Sequence, residues 1–380
     1  MRAALISFSY PEYALQLASY LAQKIPVSLF LSEQQIINRF GDMAIVNSWL
    51  KSKKLVSKKL KIELLVCPRW RDFKNLLLVK TLISKLNHFA PSIIHYQADG
   101  HPWIWLTFRF LPKTPLVTTV HDVKAHPGDK PSGIFHKFPH RQVIRPAAQL
   151  IVHGGKQRDL AAREFSYPCE QISVIPHGGF PMLKELFNAE TTEKGKEVLF
   201  FGRILRYKGL EYLIRAEPLI SQAIPDFKIV IAGSCPDFGR YEQMMVNRKN
   251  FIVHNRYISD REVAHLFQNT TVVVLPYIEA SQSGVVPMAF TFGRPVVVTD
   301  VGSISEVVTH GETGLVVPAE DTESLAGAII QLLKISALRN RMKRQIEIVN
   351  KTLLSWEVIA DRTLEVYKQA LRDNGVKCGI

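Results

Sequence analysis

Short apolar stretches recur along the chain and alternate with longer segments in which apolar residues are spaced as on one face of a helix. In the first half, the short stretches predict strands and two of the longer segments predict helices. The predicted strands are Ala3–Phe8, Val27–Leu31, Ile62–Val66, Ser92–Tyr96, Pro115–Val120, Ala148–His153 and Ile172–Ile175, and the predicted helices are Tyr13–Gln23 and Asn75–Phe89. Such alternation favours a doubly wound parallel sheet with helices on both faces.

The same pattern begins again after a polar segment, Asn188–Lys196, which is the predicted linker. The predicted strands of the second half are Val198–Phe201, Phe227–Ile231, Phe251–Val253, Val272–Leu275, Val296–Thr299 and Gly314–Val317, and the predicted helices are Gly209–Ser221, Arg261–Gln268 and Ser324–Leu333. A chain of 380 residues exceeds one ordinary core, so two domains are expected, at residues 1–187 and 197–361. Ligands in such proteins favour the crevice between domains.

The composition is that of a soluble globular protein, because 47% of the residues are hydrophobic and 22% are charged. No run of 18 or more apolar residues occurs, and the start of the chain is too broken by polar residues and proline for a signal peptide. A cytoplasmic protein is therefore expected. Its cysteines show no C-x-x-C spacing, which argues against a disulfide framework or a zinc site and predicts free thiols. They are Cys67, Cys169, Cys235 and Cys378.

Positive charge is concentrated in the first half of the chain. The first 190 residues hold 25 Lys and Arg against 13 Asp and Glu, whereas the remainder holds 23 against 21. The densest cluster, Lys51–Lys61, is followed by Trp70, Arg71 and Phe73, and this mixture of basic and apolar residues fits an anionic membrane surface. A solvated basic helix face is the alternative. Nucleic acid is not predicted as a partner, because the usual recognition motifs and an aromatic stacking platform are missing.

The segment Pro276–Gly302 predicts a polar turn and a helix between two strands. In such a unit the turn leaves the carboxyl end of the first strand, and the helix directs its free N–H groups and positive dipole end toward a bound anion. Ser281, Gln282, Ser283 and Gly284 suit a phosphate, because hydroxyls and amides donate hydrogen bonds and glycine permits close approach of the backbone. An ordinary polar turn before a buried helix is the alternative.

A second segment, Val198–Ala216, brings cations to the end of a strand. The strand ends at Gly202, and Arg203 and Lys208 follow closely enough to reach one site. An Arg fork and a Lys point charge beside a helix N-terminus suit a diphosphate, whose charge grows when it becomes a leaving group. Taken alone, this spacing also fits a surface loop.

Together these segments resemble a known family. The spacing GR-x4-KG, the turn PY-x-EASQSG and the later motifs FGRPVVVTDVGSISEVV and HGETGLVVP are similar, in this order, to the nucleotide-sugar half of the group 1, family 4-like retaining glycosyltransferases of the GT-B fold. The similarity is weaker upstream, in SIIHYQADGHP, VTTVHD and ISVIPHGG. It implies two Rossmann-like, doubly wound parallel-sheet domains that face each other across a cleft, with the acceptor on the N-terminal side. The C-terminal helix, about 362–380, is expected to pack back on the N-terminal domain.

The resemblance also implies roles for single residues. Arg203 and Lys208 would neutralise the departing diphosphate, and the turn from Ser281 to Gly284 would bind the distal phosphate. Tyr257 falls where the family often contacts the nucleotide base, although a packed loop aromatic is the alternative.

The family's Glu-x7-Glu pattern is where this sequence departs from the resemblance. Glu279 matches the first Glu one position early, which leaves its catalytic role open, and Met288 stands where the family usually has the ribose-binding Glu. A thioether does not replace a carboxylate as an acceptor for a diol, so ribose contacts are expected from elsewhere. The loop Ser7–Tyr13 also lacks the glycines that often line that side of the cleft.

His121 is the N-terminal candidate for the reacting centre. It follows an apolar strand and precedes Asp122, at a carboxyl end of the sheet where a side chain can meet the donor sugar. A core or strand-capping histidine is the alternative. Weaker candidates are His95, His101, His126 and His177. No Asp-x-Asp sequence occurs, so no metal and no cofactor besides the donor substrate is predicted.

The predicted function is transfer of a sugar from a nucleoside-diphosphate sugar to a hydroxyl acceptor, with retention as the resemblance implies, in polysaccharide or glycolipid assembly. The acceptor is expected to be a saccharide or lipid-linked molecule, with the enzyme peripheral on the inner face of the membrane. One alternative is an inactive nucleotide-sugar-binding or scaffold protein of the same fold. Another is a GT-B polymer synthase or phosphorylase, which the short chain disfavours.

Overall fold

The computed structural model describes residues 1–69, 71–98, 101, 103–111, 114–124, 142–187 and 195–375. Trp70, His126, Cys378 and most of the predicted linker lie outside the described residues. The chain forms two compact units, each with its own parallel sheet. Of the described residues, the second unit contains Lys124, 179–187 and 195–355, and the first unit contains the rest.

The first unit contains seven parallel strands in the order β3-β2-β1-β4-β5-β6-β7. They are β1 (Ala3–Ser7), β2 (Val27–Ser32), β3 (Leu60–Leu65), β4 (Ile93–Ala98), β5 (Leu116–Val120), β6 (Gln149–Val152) and β7 (Ile172–Val174). The chain adds strands on one side of β1 and then returns to add β4 on the other side. The loops after β1 and β4 therefore diverge and leave a crevice at the carboxyl ends of these strands.

Helices cover this sheet, and strands β1, β2, β4 and β5 are buried along their whole length, as a parallel sheet with two covered faces requires. The helices are Pro11–Lys24, Glu33–Phe40, Met43–Ser52, Asn75–Phe89, Ile104–Arg109, Gly155–Phe165 and Trp356–Asp373. The first of them begins with a proline, whose missing N–H costs nothing in the first turn. It packs against the last helix, where the rings of Tyr13 and Trp356 meet edge to face at 4.9 Å.

The second unit repeats this strand order with six strands, β10-β9-β8-β11-β12-β13. They are β8 (Glu197–Phe201), β9 (Lys228–Ala232), β10 (Phe251–His254), β11 (Val272–Leu275), β12 (Val296–Thr299) and β13 (Gly314–Val317). The helices are Pro181–Leu186, Leu210–Ala223, Gly239–Glu242, Asp260–Asn269, Val285–Thr291, Thr322–Lys334 and Ser336–Thr352. Val198 and Phe200 of β8 belong to the apolar core on one face of the sheet, and Leu199 belongs to the core on the other.

The predicted fold class, two doubly wound parallel sheets, is confirmed, and so are the strands and helices predicted in both halves. Several helices were not predicted, and their patterns explain why. The helix Ser336–Thr352 buries only Leu338, Met342 and Ile346, so its apolar stripe is one residue wide. Such a stripe is too sparse to stand out from a polar sequence.

The chain passes between the units at Gly178–Gly179 and again at Ser355–Trp356. Gly178 leaves room for the indole of Trp356, because a Cβ at this position would lie 2.6 Å from two of its ring carbons. The helix Trp356–Asp373 belongs to the first unit over its whole length. The sequence pattern places the division in the polar segment 188–196 and the return near residue 362.

Candidate functional site

The two segments singled out in the second half leave neighbouring strands of one sheet. Gly202 and Arg203 follow β8, and the turn Ser281–Gly284 belongs to the loop after β11. β8 and β11 pair where the strand order reverses, with Val272 opposite Val198. In open parallel sheets such a reversal leaves a crevice outside the carboxyl ends of the strands, where ligands bind. The two predicted phosphate-binding segments therefore meet at an expected ligand crevice.

Main-chain hydrogen bonds join the loops around this crevice. The N–H of Ile278, after β11, donates to the carbonyl of Tyr207 at 2.7 Å. The N–H of Ser303, after β12, donates to the carbonyl of Ser281 at 3.0 Å. These bonds fix the backbone of the three loops relative to one another without using any side chain. Ser281 is buried, and Gln282, Ser283 and Gly284 are half-buried.

Glycines with positive φ let these loops approach one another. A Cβ on Gly209 would lie 2.0 Å from the carbonyl oxygen of Pro276, and one on Gly302 would lie 1.8 Å from that of Ala280. Gly233 lies against a neighbouring backbone oxygen in the same way. Any side chain at these positions would force the loops apart, because no atom of the obstructing backbone can rotate away.

Lys208 is a buried cation of this crevice, with 9% of its surface exposed. Its Nζ lies 5.3 Å from the ring centroid of Tyr277, within range of a cation–π interaction. Gly202 makes room for it, since a Cβ there would lie 2.8 Å from Nζ. Arg203 is exposed. The arrangement pairs a fixed point charge with a guanidinium that can adjust to a phosphate.

The helix after the predicted phosphate turn is weaker as an anion site than the sequence suggests. It comprises only the seven residues Val285–Thr291, and its third residue, Pro287, has no N–H. The hydroxyl of Ser283 accepts the N–H of Val285 at 3.2 Å. A short helix that lacks one of its first N–H groups, and has another engaged in a hydrogen bond, has few free donors for an anion. An anion here would depend mainly on the turn and on Lys208.

Tyr277 is a residue of this crevice that sequence reasoning missed. It is 2% exposed, and burial raises the pKa of its phenol to about 12. The side chain of Ser283 lies against the phenol and lowers its pKa to a smaller extent, although the Tyr277 hydroxyl makes no well-formed hydrogen bond to a described residue. A buried hydroxyl beside Lys208 is a candidate donor to a ligand oxygen. The signal was present in the sequence, because Tyr277 directly follows Pro276 in the quoted turn.

The remaining donor-side candidates lie in different surroundings. Glu279 is exposed, whereas Met288 is 8% exposed and packs in the core with residues such as Phe290. Tyr257 is 72% exposed and follows β10, an edge strand that β9 and β8 separate from β11. The structure thus brings Gly202, Lys208 and the phosphate turn together, and it leaves Tyr257 at the edge of the sheet.

His121 is buried at the carboxyl end of β5, in the first unit, with 2% of its surface exposed. Its Nε2 lies 2.7 Å from the side-chain oxygen of Gln97, and its Nδ1 lies 3.1 Å from Nε2 of His153. The ring of Tyr10 stacks on it at 3.9 Å. Burial, together with the neighbouring imidazoles, first among them His153, lowers the pKa of His121 well below 6.5. Both ring nitrogens are therefore engaged, and a direct contact with a sugar would require one of these bonds to break.

The other described histidine candidates take different positions. His95 is buried between the Tyr367 hydroxyl, 2.7 Å from Nδ1, and the Thr119 hydroxyl, 2.7 Å from Nε2. His101 lies against the ring of Phe8 at 5.8 Å. His177 directly precedes the first passage between the units, and its Nδ1 donates to the Gly178 carbonyl at 2.8 Å. Burial lowers the pKa of both His95 and His177 to about 3.

Two further observations concern the described parts of the chain only. No group of three or more His, Cys, Asp or Glu side chains there is arranged to hold a metal ion. No helix there combines the length and the apolar character needed to cross a bilayer. The predicted independence from metal remains a prediction. Cys67, Cys169 and Cys235 are free thiols.

Comparison with solved structures supports the fold over nearly the whole chain. Sucrose-phosphate synthase from Thermosynechococcus elongatus matches with a TM-score of 0.71 and 20% identity, covering 98% of this chain and 99% of that one. Alr3699/HepE from Anabaena, crystallised with UDP-glucose, matches with a TM-score of 0.68 and 16% identity, covering 97% and 99%. At these identities the likeness concerns the fold, which is that of the GT-B enzymes.

Comparison with sequences identifies the family. The model described as "Glycosyltransferase Family 4" matches residues 12–178, and the model described as "Glycosyl transferases group 1" matches residues 195–334. Phosphatidyl-myo-inositol mannosyltransferase of Mycobacterium leprae is 31% identical over 289 residues, which cover 73% of both proteins. Alpha-D-kanosaminyltransferase of Streptomyces kanamyceticus is 26% identical over 298 residues, or 73% of this chain and 77% of the relative. The chain therefore belongs to the group 1, family 4-like glycosyltransferases of the GT-B fold.

Proposed function

We propose that the protein transfers a sugar from a nucleoside-diphosphate sugar to a hydroxyl acceptor, with retention of configuration, in polysaccharide or glycolipid assembly. The observation that carries this proposal is the convergence of Lys208, Arg203 and the turn Ser281–Gly284 at the strand-order reversal of the second sheet. Charge on the diphosphate grows as its bond to the sugar breaks, so cations held in advance beside it lower the barrier.

The donor is proposed to be held by its diphosphate. Lys208 and Arg203 would neutralise the phosphates, and the hydroxyls and backbone of the turn would orient them. Solved structures with this fold carry UDP or UDP-glucose, which supports uridine diphosphate sugars as the first donors to test. The names of the relatives refer to the transfer of different sugars, so a screen of nucleotide sugars is needed to find which sugar the donor carries. Tyr257 is retained as a candidate base contact and Glu279 as a candidate catalytic group.

Transfer without a metal is part of the same proposal. In many transferases a divalent cation offsets the charge of the diphosphate, and here two side-chain cations would do so. Unchanged turnover after exhaustive treatment with EDTA is expected. Loss of turnover that Mg²⁺ or Mn²⁺ restores would contradict this part of the proposal and leave the transfer itself standing.

The test of the proposed function is release of nucleoside diphosphate from a panel of nucleotide sugars, with and without candidate acceptors. Acceptor-dependent release is expected from the wild-type protein and is expected to fall when Lys208 or Arg203 is replaced by Ala. Arg206→Ala is the matched control, because Arg206 is an exposed cation between them on the short helix Arg206–Lys208. Equal losses in all three variants would mean that general charge, not the proposed contacts, governs turnover.

A nucleotide-sugar-binding protein without transferase activity is the second candidate. Two observations favour it: Met288 packs in the core where the family usually has a ribose-binding Glu, and Glu279 is exposed. This candidate predicts that calorimetry detects binding of a nucleoside diphosphate. It also predicts that neither transfer to an acceptor nor hydrolysis releases a nucleoside diphosphate from a nucleotide sugar. Acceptor-dependent turnover with any donor removes this candidate.

A membrane-bound acceptor is proposed on the strength of residues that follow the cluster Lys51–Lys61, among them Arg71 and Phe73 of the sequence pattern. Only Lys51 and Ser52 of the cluster Lys51–Lys61 belong to a helix, so the cluster is not a helix face. The carbonyl of Lys59 accepts the N–H of Val27 at 2.7 Å, at the start of β2. The later part of the cluster therefore lies at the amino ends of the strands, opposite the edge that carries His121.

Exposed apolar and basic residues also mix at the carboxyl edge of the same sheet, where they follow β3 and begin the helix Asn75–Phe89. We call them the Val66–Lys80 surface. Its exposed members are Val66, Arg69, Arg71, Phe73, Lys74, Leu76, Leu77 and Lys80. Phe73 is 76% exposed and Leu77 67% exposed, which is costly in water unless a partner covers them. Apolar side chains between cations fit an anionic bilayer, where each basic residue contributes about 1 kcal/mol.

We therefore assign peripheral contact with the inner, anionic face of a membrane to the Val66–Lys80 surface. Sedimentation with phosphatidylcholine vesicles is expected to require phosphatidylglycerol and to weaken as salt rises. Phe73→Ser with Leu77→Ser should abolish it, whereas Lys53, Lys54, Lys58 and Lys59 changed together to Gln should weaken it less. If the wild type fails to sediment at low ionic strength, the membrane proposal is wrong and a soluble saccharide acceptor is favoured.

A further inference from the structure

We propose that Gln97 is a positioning residue, which presents the N–H₂ group of its carboxamide to His121 and thereby holds that ring as the neutral Nδ1–H tautomer. The proposal follows from the order of donors and acceptors along a buried chain of side chains in the first unit. It rests on the proposed function only where turnover is concerned. The state of the ring can be observed without any substrate.

The chain of hydrogen bonds begins at a group that can only accept. Nδ1 of His153 lies 2.9 Å from the carbonyl oxygen of Ile175, so this nitrogen carries the proton. A neutral His153 then has its lone pair on Nε2, which lies 3.1 Å from Nδ1 of His121. His121 must therefore donate from Nδ1, and its own lone pair is on Nε2.

The lone pair of His121 faces the carboxamide of Gln97 at 2.7 Å. With the amide oxygen at that position, two acceptors would face each other with no proton between them. The oxygen and nitrogen of a carboxamide occupy equivalent positions, and the surrounding hydrogen bonds decide which is which. With the N–H₂ group toward His121, the bond is satisfied and no atom moves.

The far side of Gln97 agrees with this orientation. The other carboxamide atom lies 3.3 Å from Nε2 of His95 and, as an oxygen, accepts its proton. Nδ1 of His95 is then free of a proton and accepts the hydroxyl of Tyr367 at 2.7 Å. The hydroxyl of Thr119, 2.7 Å from Nε2 of His95, accepts from the same N–H in this arrangement. Every donor between Tyr367 and Ile175 meets an acceptor.

The competing arrangement carries one extra proton on the pair His121 and His153. The Nε2–H of His121 would then require the oxygen of Gln97 as its acceptor. The groups that face His121 are the imidazoles of His95, His153 and His177 and the rings of Tyr10 and Tyr13. Burial opposes the charge on either member of the pair, while the bond to the Ile175 carbonyl and then Asp122 favour it on His153 to a smaller extent. The neutral pair is favoured, and the orientation of Gln97 is tied to its protonation.

This orientation matters for the loop beside the ligand crevice of the first sheet. Tyr10, in the loop after β1, stacks on the imidazole of His121, and its N–H donates to the hydroxyl of Ser7 at 3.3 Å. A ring locked by bonds at both nitrogens cannot turn, so it gives Tyr10 a fixed platform. Gln97 acts on the crevice through His121 and Tyr10 and does not itself touch a substrate.

The test is nitrogen NMR of protein labelled with ¹⁵N-histidine. In the wild type at neutral pH, His121 is expected to show a protonated Nδ1 and an unprotonated Nε2. In Gln97→Glu the carboxylate can only accept, so the imidazolium of His121 is favoured. The pKa of His121 is expected to rise from its lowered value by about 1 to 3 units, which a titration of the ¹⁵N shifts toward acid pH measures. Gln97→Met is the matched control, which removes the donor without adding charge and should leave His121 neutral. A protonated Nε2 on His121 of the wild type overturns the proposal, even if neither variant folds.

Turnover supplies a second readout. In Gln97→Glu the pH profile of kcat is expected to lose activity on its acid side, with the midpoint displaced upward by about 1 to 3 units. An unchanged profile in a variant whose His121 pKa has risen would overturn the positioning role. A wild type with the expected tautomer but no transfer with any donor would instead contradict the proposed function alone.

Discussion

The two units share one strand order but stabilise their carboxyl-edge loops in different ways. In the first unit the edge is held by a buried chain of polar side chains from β4, from the ends of β5 and β6, and from the last helix. In the second unit it is held by backbone oxygens that lie against Gly209, Gly233 and Gly302. One edge therefore depends on protonation states and the other on the absence of side chains.

Because their loops are stabilised differently, the two units should tolerate different changes. A network of buried imidazoles is sensitive to pH, because burial favours the neutral rings and an added proton changes which neighbours must accept. Loops in backbone contact are insensitive to pH but do not accept a single added methyl group. Perturbations of charge should thus affect the first unit and perturbations of volume the second.

Acidification is expected to have the largest effect and to act on the first unit. The pKa values of His95 and His177 fall from 6.5 in the reference state to about 3 in the folded protein. Below about pH 6.5 the unfolded chain takes up protons that the folded chain does not bind, so the free energy of unfolding falls with pH until about 3. At pH 5 the loss is about 2 kcal/mol for each histidine, about 4 kcal/mol together.

Intrinsic fluorescence can measure this loss in one unit at a time, because the described tryptophans, Trp49, Trp103, Trp105 and Trp356, all belong to the first unit. Urea unfolding followed by tryptophan fluorescence should shift strongly between pH 7.5 and pH 5. A second transition in circular dichroism, assigned to the other unit, should shift less. Equal shifts of both transitions would remove the proposed contrast.

Replacement of Lys208 tests the charged part of the second unit's crevice. Lys208→Ala should lower turnover by about 10²- to 10³-fold, equivalent to ~3 kcal/mol, because one preorganised charge beside the leaving diphosphate is lost. The thermal midpoint should change little. Steady-state kinetics with the donor found in the screen is the measurement. Turnover within a few-fold of the wild type would exclude Lys208 from this role.

A methyl group tests the backbone contacts. Gly302→Ala should cost about 2 kcal/mol of stability more than Gly311→Ala. Both glycines have positive φ, 51° and 80°, but a Cβ on Gly302 would lie 1.8 Å from a carbonyl oxygen, whereas one on Gly311 meets nothing within 4 Å. The backbone strain is therefore common to both variants, and the difference reports the contact. Equal midpoints in urea would show that the loop after β12 moves aside freely.

Removal of one hydroxyl should have the smallest effect and belongs to the first unit. Tyr367→Phe removes the donor to Nδ1 of His95 and should cost about 1 kcal/mol at neutral pH. Tyr257→Phe is the control, because that hydroxyl belongs to a side chain that is 72% exposed. Tryptophan fluorescence in urea would compare them. A loss in the control as large as in Tyr367→Phe would argue against the buried network.

The strands were predictable because a parallel sheet covered on both faces makes its strands continuously apolar, as in β11 and β12. The segments around Gly202 and Ser281 were predictable because each is local in sequence and ends at a strand. The partners of His121 were not, because Gln97 and His153 come from other strands and only topology brings them together. The motif residue Arg294 illustrates a further limit. It is buried and donates from Nε to the carbonyl of Phe267 at 3.0 Å, so it secures a helix end.

The last helix of the chain completes the first unit, and this has a consequence for synthesis on the ribosome. His95 and Gln149 are translated early, but their hydrogen-bonding partners Tyr367 and Asp373 are translated after the whole second unit. The described strands of the second unit all lie between Gly179 and Ser355, so they are translated before the first unit is finished. We therefore expect the nascent chain to complete its units in the reverse of their order in the sequence. A chain truncated after Ser355 should contain a folded second unit and a protease-sensitive first one.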